Sequence, residues 1–500
     1  MRFRHSFPDM PSDTANATHG NPPSLQDILR SLPAVGSVVH ALREIGGRPS
    51  EAEGELLTYL VRRELATLRE LLRQGSDSPP STDLEAVTAR VVEALERWDG
   101  DSSTCRLING TGIILHSGLG RAVLAEEVCE ALGRARGYQL LEVDRTEGRR
   151  RKRDAFLEEL LVHLTGAEAA LVVNNNAAAT ILLLAALASG KDVLVSRSQM
   201  VEIGGSFRLP DVMEASGCRL KEVGTTNRSY PHDYERAIDT ESGALMLVHT
   251  SNYRLVGFTE HVGIAEMVAI GRRTGLPVIH DLGSGCLIDP SRLPVEDEPP
   301  VQASVRAGAD VICFSGDKLI GGVQSGILVG KRATIERIRR HPLARAMRID
   351  KLTCIALETT LKLYLEPSKL EQRLPTLRML RQEPAVIRRR ARRLATRIRQ
   401  TLTRVAGPEA PQDLAEVTVA EATSEVGAGA LPAVGIATHC VVVRPAQSSA
   451  EALARRLRQR TVPIFGRIRD QALWIDLRTL QAGEGREVAA ALGEELGSDP

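Results

Sequence analysis

The segment Val311-Ile312-Cys313-Phe314-Ser315-Gly316-Asp317-Lys318-Leu319-Ile320-Gly321-Gly322 joins a short, wholly apolar strand pattern to Ser-Gly-Asp, one lysine and a glycine pair. A strand apolar on both faces belongs in the middle of a sheet, so Lys318 falls at the carboxyl end of a buried strand, where α/β proteins keep their ligands. Burial beside a ligand lowers the pKa of an amine, and an unprotonated amine can form a Schiff base with an aldehyde. A lone loop lysine is ordinarily solvated, so the weight of this reading rests on its surroundings. The cofactor that fits the chemistry is pyridoxal phosphate (PLP).

Working outward, short, mostly apolar runs at 169–173, 193–196, 220–223, 245–250, 278–281 and 311–314 alternate with helical stretches. That rhythm predicts a mostly parallel sheet wrapped by helices. Asp281 ends Val278-Ile279-His280-Asp281 and precedes Leu282-Gly283-Ser284-Gly285. A carboxylate at a strand end can hold a pyridine nitrogen protonated and so keep the ring an electron sink; taken alone, an Asp before Gly is a turn residue. In Val172-Val173-Asn174-Asn175-Asn176-Ala177-Ala178-Ala179-Thr180 a strand ends in three asparagines and an alanine-rich helix begins. Free N–H groups at that helix start, with Asn174, Asn175, Asn176 and Ala177, make a phosphate cradle, or else simple capping. Ser315, three residues before Lys318, is placed to join the cradle. Each piece is weak singly; their order along one chain is the signal.

Composition sets bounds. A chain of 500 residues is too long for one core and predicts two or three domains. The net charge of +1 says nothing about partners, but residues 331–404 carry 21 basic against six acidic side chains, including Arg388-Arg389-Arg390 and Arg392-Arg393. Such asymmetry can attract a polyanion. Seven cysteines lie far apart, with no CxxC pair and no metal-ligand spacing, which suits reduced thiols in a cytoplasm. The longest apolar run, 177–188, is too short to span a bilayer, and the N-terminus lacks the apolar core of a signal peptide. The predicted organisation is a disordered polar tail at 1–21, an N-terminal helical module at 22–100 opened by a capping-box-like Ser24-Leu25-Gln26-Asp27, a large α/β domain at 101–383 and a small α+β C-terminal domain at 384–500.

At these residues the chain resembles the bacterial L-seryl-tRNA(Sec) selenium transferases, or selenocysteine synthases. The resemblance runs from about Ser24 to Leu480. It is carried by Val173 to Ala179, Val201-Glu202-Ile203-Gly204-Gly205-Ser206-Phe207-Arg208, Gly224-Thr225-Thr226-Asn227-Arg228, His249-Thr250-Ser251-Asn252-Tyr253-Arg254, the Ser-Gly-Asp-Lys segment and Arg348-Ile349-Asp350-Lys351-Leu352-Thr353. It implies a fold-type-I PLP-dependent transferase that converts seryl-tRNA(Sec) to selenocysteinyl-tRNA(Sec) with selenophosphate, by β-elimination to aminoacrylate and selenium addition. It implies Lys318 as the cofactor lysine, with Asp317 beside it in a positioning role, and Arg121, Arg345 and Arg348 as selenophosphate ligands, a role for which the arginine fork is suited. It also implies tRNA recognition by the N-terminal module, where Arg62, Arg63, Arg69 and Arg73 share one helix, and a homo-oligomer, at least a dimer and by resemblance a decamer. Three places depart from the family pattern: Arg151-Lys152 stands where Gly-Ser is common, Phe156 where His is common, and Ser117-Gly118 where Thr-Asn is usual.

Two rival readings remain open at this stage. One is a related fold-type-I PLP lyase or aldolase acting on a small amino or amino-sugar acid without RNA; the N-terminal module argues against it. The other is a non-catalytic RNA-binding scaffold, against which Lys318 and Asp281 argue.

Overall fold

The structure is a computed structural model and describes residues 25–46, 51–74, 80–100, 103–204, 207–293, 298–407, 414–427, 430 and 435–497. The expected polar tail, Ser24 and the Gly205-Ser206 pair lie outside the described residues. The chain divides into two compact units, Met1–Ile108 with Ala452–Phe465, and Asn109–Glu451 with Gly466–Pro500.

In the first unit the helices are α1 (Leu25–Ser31), α2 (Val35–Gly46), α3 (Glu51–Gln74) and α4 (Leu84–Gly100). Leu57, Leu60, Val61, Leu65, Leu68 and Leu72 recur at helical spacing along α3 and are buried against Val38 and Leu42 of α2 and Val87, Val91 and Leu95 of α4. That stripe explains why so charged a helix folds, since its polar face is left to solvent. The Asp83 carboxylate accepts from the Ala86 backbone N–H at 2.7 Å and caps α4.

The second unit is built on a seven-stranded sheet: β1 (Ala169–Val173), β2 (Asp192–Ser196), β3 (Arg219–Val223), β4 (Ser242–Val248), β5 (Val278–Gly283), β6 (Val311–Ser315) and β7 (Gly326–Gly330). The order is β1-β7-β6-β5-β4-β2-β3. All neighbours are parallel except β7, which runs antiparallel to both β1 and β6. Apart from the edge strand β3, which is largely solvent-facing, the runs read as strands are buried on both faces, as a sheet between two helical layers requires. One layer holds α5 (Ala155–Thr165), whose Leu157, Leu160 and Leu161 join the core on that face; the other holds α6 (Asn176–Ala188). Leu182, Leu183, Leu184 and Leu187 of α6 are all buried, so this helix is apolar around most of its circumference and has no solvent face to spare. Farther along the chain, α7 (Lys351–Leu363) packs into the first layer.

The strand of this seven-stranded sheet missing from the sequence reading is β7. Its Gly326 sits so close to α6 that a Cβ there would stand 2.1 Å from the Asn175 carbonyl oxygen. The final segment contains α8 (Pro384–Ala406), the antiparallel strands β8 (Ala415–Ser424), β9 (Ile436–Pro445), β10 (Arg467–Arg469) and β11 (Ala472–Asp476) in the order β8-β9-β11-β10, and α9 (Glu484–Gly497). Its buried Asp476 accepts from Ser424 Oγ at 2.9 Å, Thr438 Oγ1 at 2.8 Å and Arg467 Nη2 at 3.0 Å, so the charge is fully engaged. All seven cysteines are free, five of them buried. Among the described residues no helix is long and apolar enough to cross a membrane.

Replacing Gly326 by Ala is expected to force β7 away from the start of α6, costing about 1–3 kcal/mol of stability; a thermal unfolding midpoint equal to the parent protein's would contradict this packing.

Candidate active site

Asp281 lies at the carboxyl end of β5, where the register against β6 slips between Asp281 and Gly283. The irregularity ends regular pairing at the residue that must face a ligand. The carboxylate is 6% exposed. Its Oδ1 accepts from Asn176 Nδ2 at 3.0 Å and from the Gly283 backbone N–H at 3.1 Å. The Thr180 hydroxyl, 3.4 Å from Oδ2, also reaches the Asn176 carbonyl at 3.0 Å and shares its one proton between them. Asn176 and Thr180 are four apart on α6, which puts both on one face toward the same carboxylate. Burial pushes the Asp281 carboxyl up from its ordinary pKa, opposed by the Asn176 hydrogen bond and the Lys318 charge.

Lys318 is 5% exposed. Burial pulls its amine down from the ordinary lysine range, opposed mainly by Asp281. Burial thus biases both groups toward their neutral forms, and the charge of each partly offsets that of the other. Gly283 has φ 65°, and a Cβ there would come 3.4 Å from Ser251 Oγ and 3.9 Å from Lys318 Nζ. Next to the lysine, Asp317 Oδ2 accepts from Arg121 Nη1 at 2.7 Å. Arg121 reaches it from a turn at φ 63°, a left-handed conformation uncommon outside glycine, directly after Gly120 at φ 91°. Asp317 Oδ1 and Asn176 Oδ1 are buried with no hydrogen-bond partner.

The three asparagines divide their work. Asn174 donates its backbone N–H to the Met347 carbonyl at 3.1 Å. Asn175 caps α6: its Oδ1 accepts from Ala178 N at 2.8 Å and its carbonyl from Ala179 N at 3.0 Å. The N–H groups of Asn176 and Ala177 then have no acceptor within the helix. Ser315 pairs across β6 and β7 with Gly326, the glycine that abuts Asn175, so its hydroxyl is carried to the same helix start. A buried amine, a buried carboxylate, and free amides beside a hydroxyl at a helix N-terminus together fit the aldehyde, ring nitrogen and phosphate of PLP.

Arg345 and Arg348 are placed elsewhere. They line a cavity of about 600 Å³ beside β1, with Arg150, Arg151, Lys152 and Arg153 on its other walls, and neither Lys318 nor Asp281 lines it. Arg348 pairs with Glu142 at 3.2 Å, and so do Arg150 at 2.9 Å and Arg153 at 2.8 Å. The departures from the family pattern add to this charge: Arg151 lines the cavity, and Lys152 pairs with Glu336 at 2.8 Å. Phe156 packs under Lys362, whose Nζ is 4.9 Å from the ring centre. Ser117-Gly118 forms the turn that delivers Arg121. The sequence reading missed Thr180, Ser251 and His249. The His249 Nε2 lies 3.5 Å from the fully buried Glu298, and its backbone N–H donates to the Asp281 carbonyl at 2.8 Å. His249 and Ser251 stood within a quoted motif, but nothing in their spacing linked them to Asp281.

The sheet and this site define a fold-type-I PLP enzyme. A solved structure of D-glucosaminate-6-phosphate ammonia-lyase has the same fold, with a TM-score of 0.53 at 21% identity, over 79% of this chain and 96% of that one. The family model for L-seryl-tRNA selenium transferase matches residues 107–481. The L-seryl-tRNA(Sec) selenium transferase of Nitratidesulfovibrio vulgaris is 46% identical over 94% of this chain and 99% of its own length, and that of Alkaliphilus metalliredigens 49% over 91% and 96%. The chain belongs to the L-seryl-tRNA selenium transferase family.

Two expectations follow for cofactor binding. Asn176→Ala removes a hydrogen bond to a buried charge and is expected to weaken PLP about 10- to 100-fold; unchanged affinity by absorbance titration would remove Asn176 from the site. Only the neutral Lys318 amine can react with the aldehyde, so capture should speed up as pH rises, with its midpoint below the ordinary lysine value of 10.5. A stopped-flow pH series with no rise below that value would contradict a buried amine.

Proposed function

We propose that the chain converts L-seryl-tRNA(Sec) to L-selenocysteinyl-tRNA(Sec), with selenophosphate as selenium donor. The observation that carries the reading is the extent of the similarity: 475 aligned residues at 46% identity, nearly the whole of both chains, cannot leave out the N-terminal helices. The small-molecule lyase with the same fold covers 79% of this chain at 21% identity, so the longer and closer similarity to the transferases favours the transferase over that alternative.

Bound PLP supplies an electron sink for negative charge at the serine Cα. Lys318 removes the Cα proton, a task suited to an amine that burial holds toward its neutral form. Asp281 keeps a proton on the ring nitrogen, and Asn176 and Thr180 keep its carboxylate aimed there. Asn175, Asn176, Ala177 and Ser315 hold the phosphate, with Asn174 anchoring the turn. The Arg121–Asp317 pair positions the segment that carries Lys318. For selenophosphate we assign Arg121, Arg345 and Arg348; Arg121 pairs with Asp317 beside Lys318, and Arg345 and Arg348 line a separate cavity whose excess of guanidinium groups supports an oxyanion site.

We place tRNA recognition on the N-terminal module. Arg62 and Arg69 of α3 are exposed, whereas Arg63 pairs with Glu64 at 3.3 Å and Arg73 with Glu70 at 3.8 Å. A homo-oligomer of at least two chains is supported by exposed apolar side chains near Glu142, namely Tyr138, Leu140 and Val143, which a second copy would cover. Free cysteines and a tRNA substrate fit the cytoplasm.

Incubation with seryl-tRNA(Sec) and selenophosphate should yield selenocysteine on the RNA, and Lys318→Ala should abolish both that product and the visible absorbance of bound cofactor. Serine alone recovered from the parent reaction would overturn the reading. Removal of residues 1–100 is expected to abolish seryl-tRNA binding, by gel shift, while leaving the cofactor absorbance intact; retained binding would refute the assignment of that module.

A further inference from the structure

Helix α8 has one apolar face and one face made almost entirely of arginine. Ile387, Ala391, Leu394, Ala395, Ile398 and Leu402 are buried in the second unit, where α8 packs on α9, β8 and β9. The opposite face exposes Arg388, Arg389, Arg392, Arg393 and Arg397, which with Thr396 line a shallow groove of about 630 Å³. Arg388 and Arg392, like Arg389, Arg393 and Arg397, recur every four residues, so two cationic rows run side by side, rising about 6 Å per step.

Among the described residues nothing neutralises these rows. No Asp or Glu occurs between Pro384 and Ala406. Among the described residues none of the five forms an ion pair, whereas the two arginines that point toward the protein are used structurally. Arg390 donates to Gln382 Oε1 at 2.9 Å and to the Leu480 carbonyl, and Arg399 donates to the Val417 carbonyl. Five like charges on three turns repel one another and add nothing to folding. A surface that is costly for the free chain points to an external polyanion.

We infer that the arginine face of α8 binds the phosphate backbone of the tRNA substrate, as a contact additional to the N-terminal module. The inference rests on the reading that the chain acts on seryl-tRNA(Sec). Two parallel rows of guanidinium forks suit the sugar–phosphate edges of an A-form duplex, which proteins read by shape and backbone rather than by base. The face lies on a different element from every residue assigned above to cofactor or selenophosphate, so its part is affinity and orientation of the RNA.

The test is a salt series of seryl-tRNA(Sec) binding to the full-length holoenzyme, the parent against a variant carrying Arg388→Gln, Arg389→Gln, Arg392→Gln and Arg393→Gln, and against the four Arg→Lys replacements. Cofactor absorbance and the mass of the assembly are followed in all three. Each lost phosphate contact lowers the slope of log Kd against log salt by about 1, so the Gln variant should lose about 2–4 from the slope and about tenfold or more in affinity at moderate salt. The Lys variant should keep most of the slope, because charge rather than fork geometry dominates backbone binding. Equal slopes in parent and Gln variant would overturn the inference, as would a change in assembly mass with the slope unaltered, which would make the face a contact between copies. A parent protein that does not bind seryl-tRNA(Sec) at all would instead overturn the functional reading beneath it.

Discussion

The site depends on holding a lysine and an aspartate out of water at the carboxyl ends of adjacent strands. Burial drives Lys318 and Asp281 toward their neutral forms, and each charge partly offsets the other. Neither group is in its most comfortable state without a ligand, and a cofactor with an aldehyde for one and a basic ring nitrogen for the other relieves both. The surrounding structure maintains this arrangement. The sheet supplies the two strand ends, α6 supplies Asn176 and Thr180, and β7 packs α6 close enough that only glycine fits at 326.

Much of this was legible in the sequence because wholly buried strands must be apolar. The run 169–173 coincides with β1, and the strand before Lys318 starts at Val311 as read and runs one residue longer, to Ser315. The alternation of runs and helices gave the mostly parallel sheet. What escaped was β7, and the reason is tertiary. Gly326-Ile327-Leu328-Val329-Gly330 is bracketed by glycines that read locally as a loop, yet they are needed because Asn175 approaches at one end and the Asp310 carbonyl at the other. Strand β8 escaped for a different reason: exposed Glu416 and Thr418 on one face, and Glu421 and Thr423 on the other, leave no continuous apolar run.

The site shows the same division. Lys318 and Asp281 stood out because a charged residue at the end of an apolar strand violates its local context. The asparagine run was legible as a unit, but its internal roles were not. The helix phase turns the Asn176 side chain onto a carboxylate 105 residues away, while Asn175 closes the helix end. Arg345 and Arg348, one turn apart, share a cavity beside β1 with the basic segment 150–153, while Arg121 reaches Asp317 through a left-handed backbone that sequence spacing does not reveal. The two substitutions at 151 and 152 that set this chain apart from its family pattern extend the positive surface of that cavity.

The most direct test of the central claim is chemical. The holoenzyme is reduced with borohydride to fix the cofactor where it is bound, digested, and its peptides sequenced by mass spectrometry. The account predicts the pyridoxyl mass on the peptide containing Lys318 and on no other. The same mass on a different lysine, or unmodified Lys318 in protein that retains its yellow colour, would contradict it.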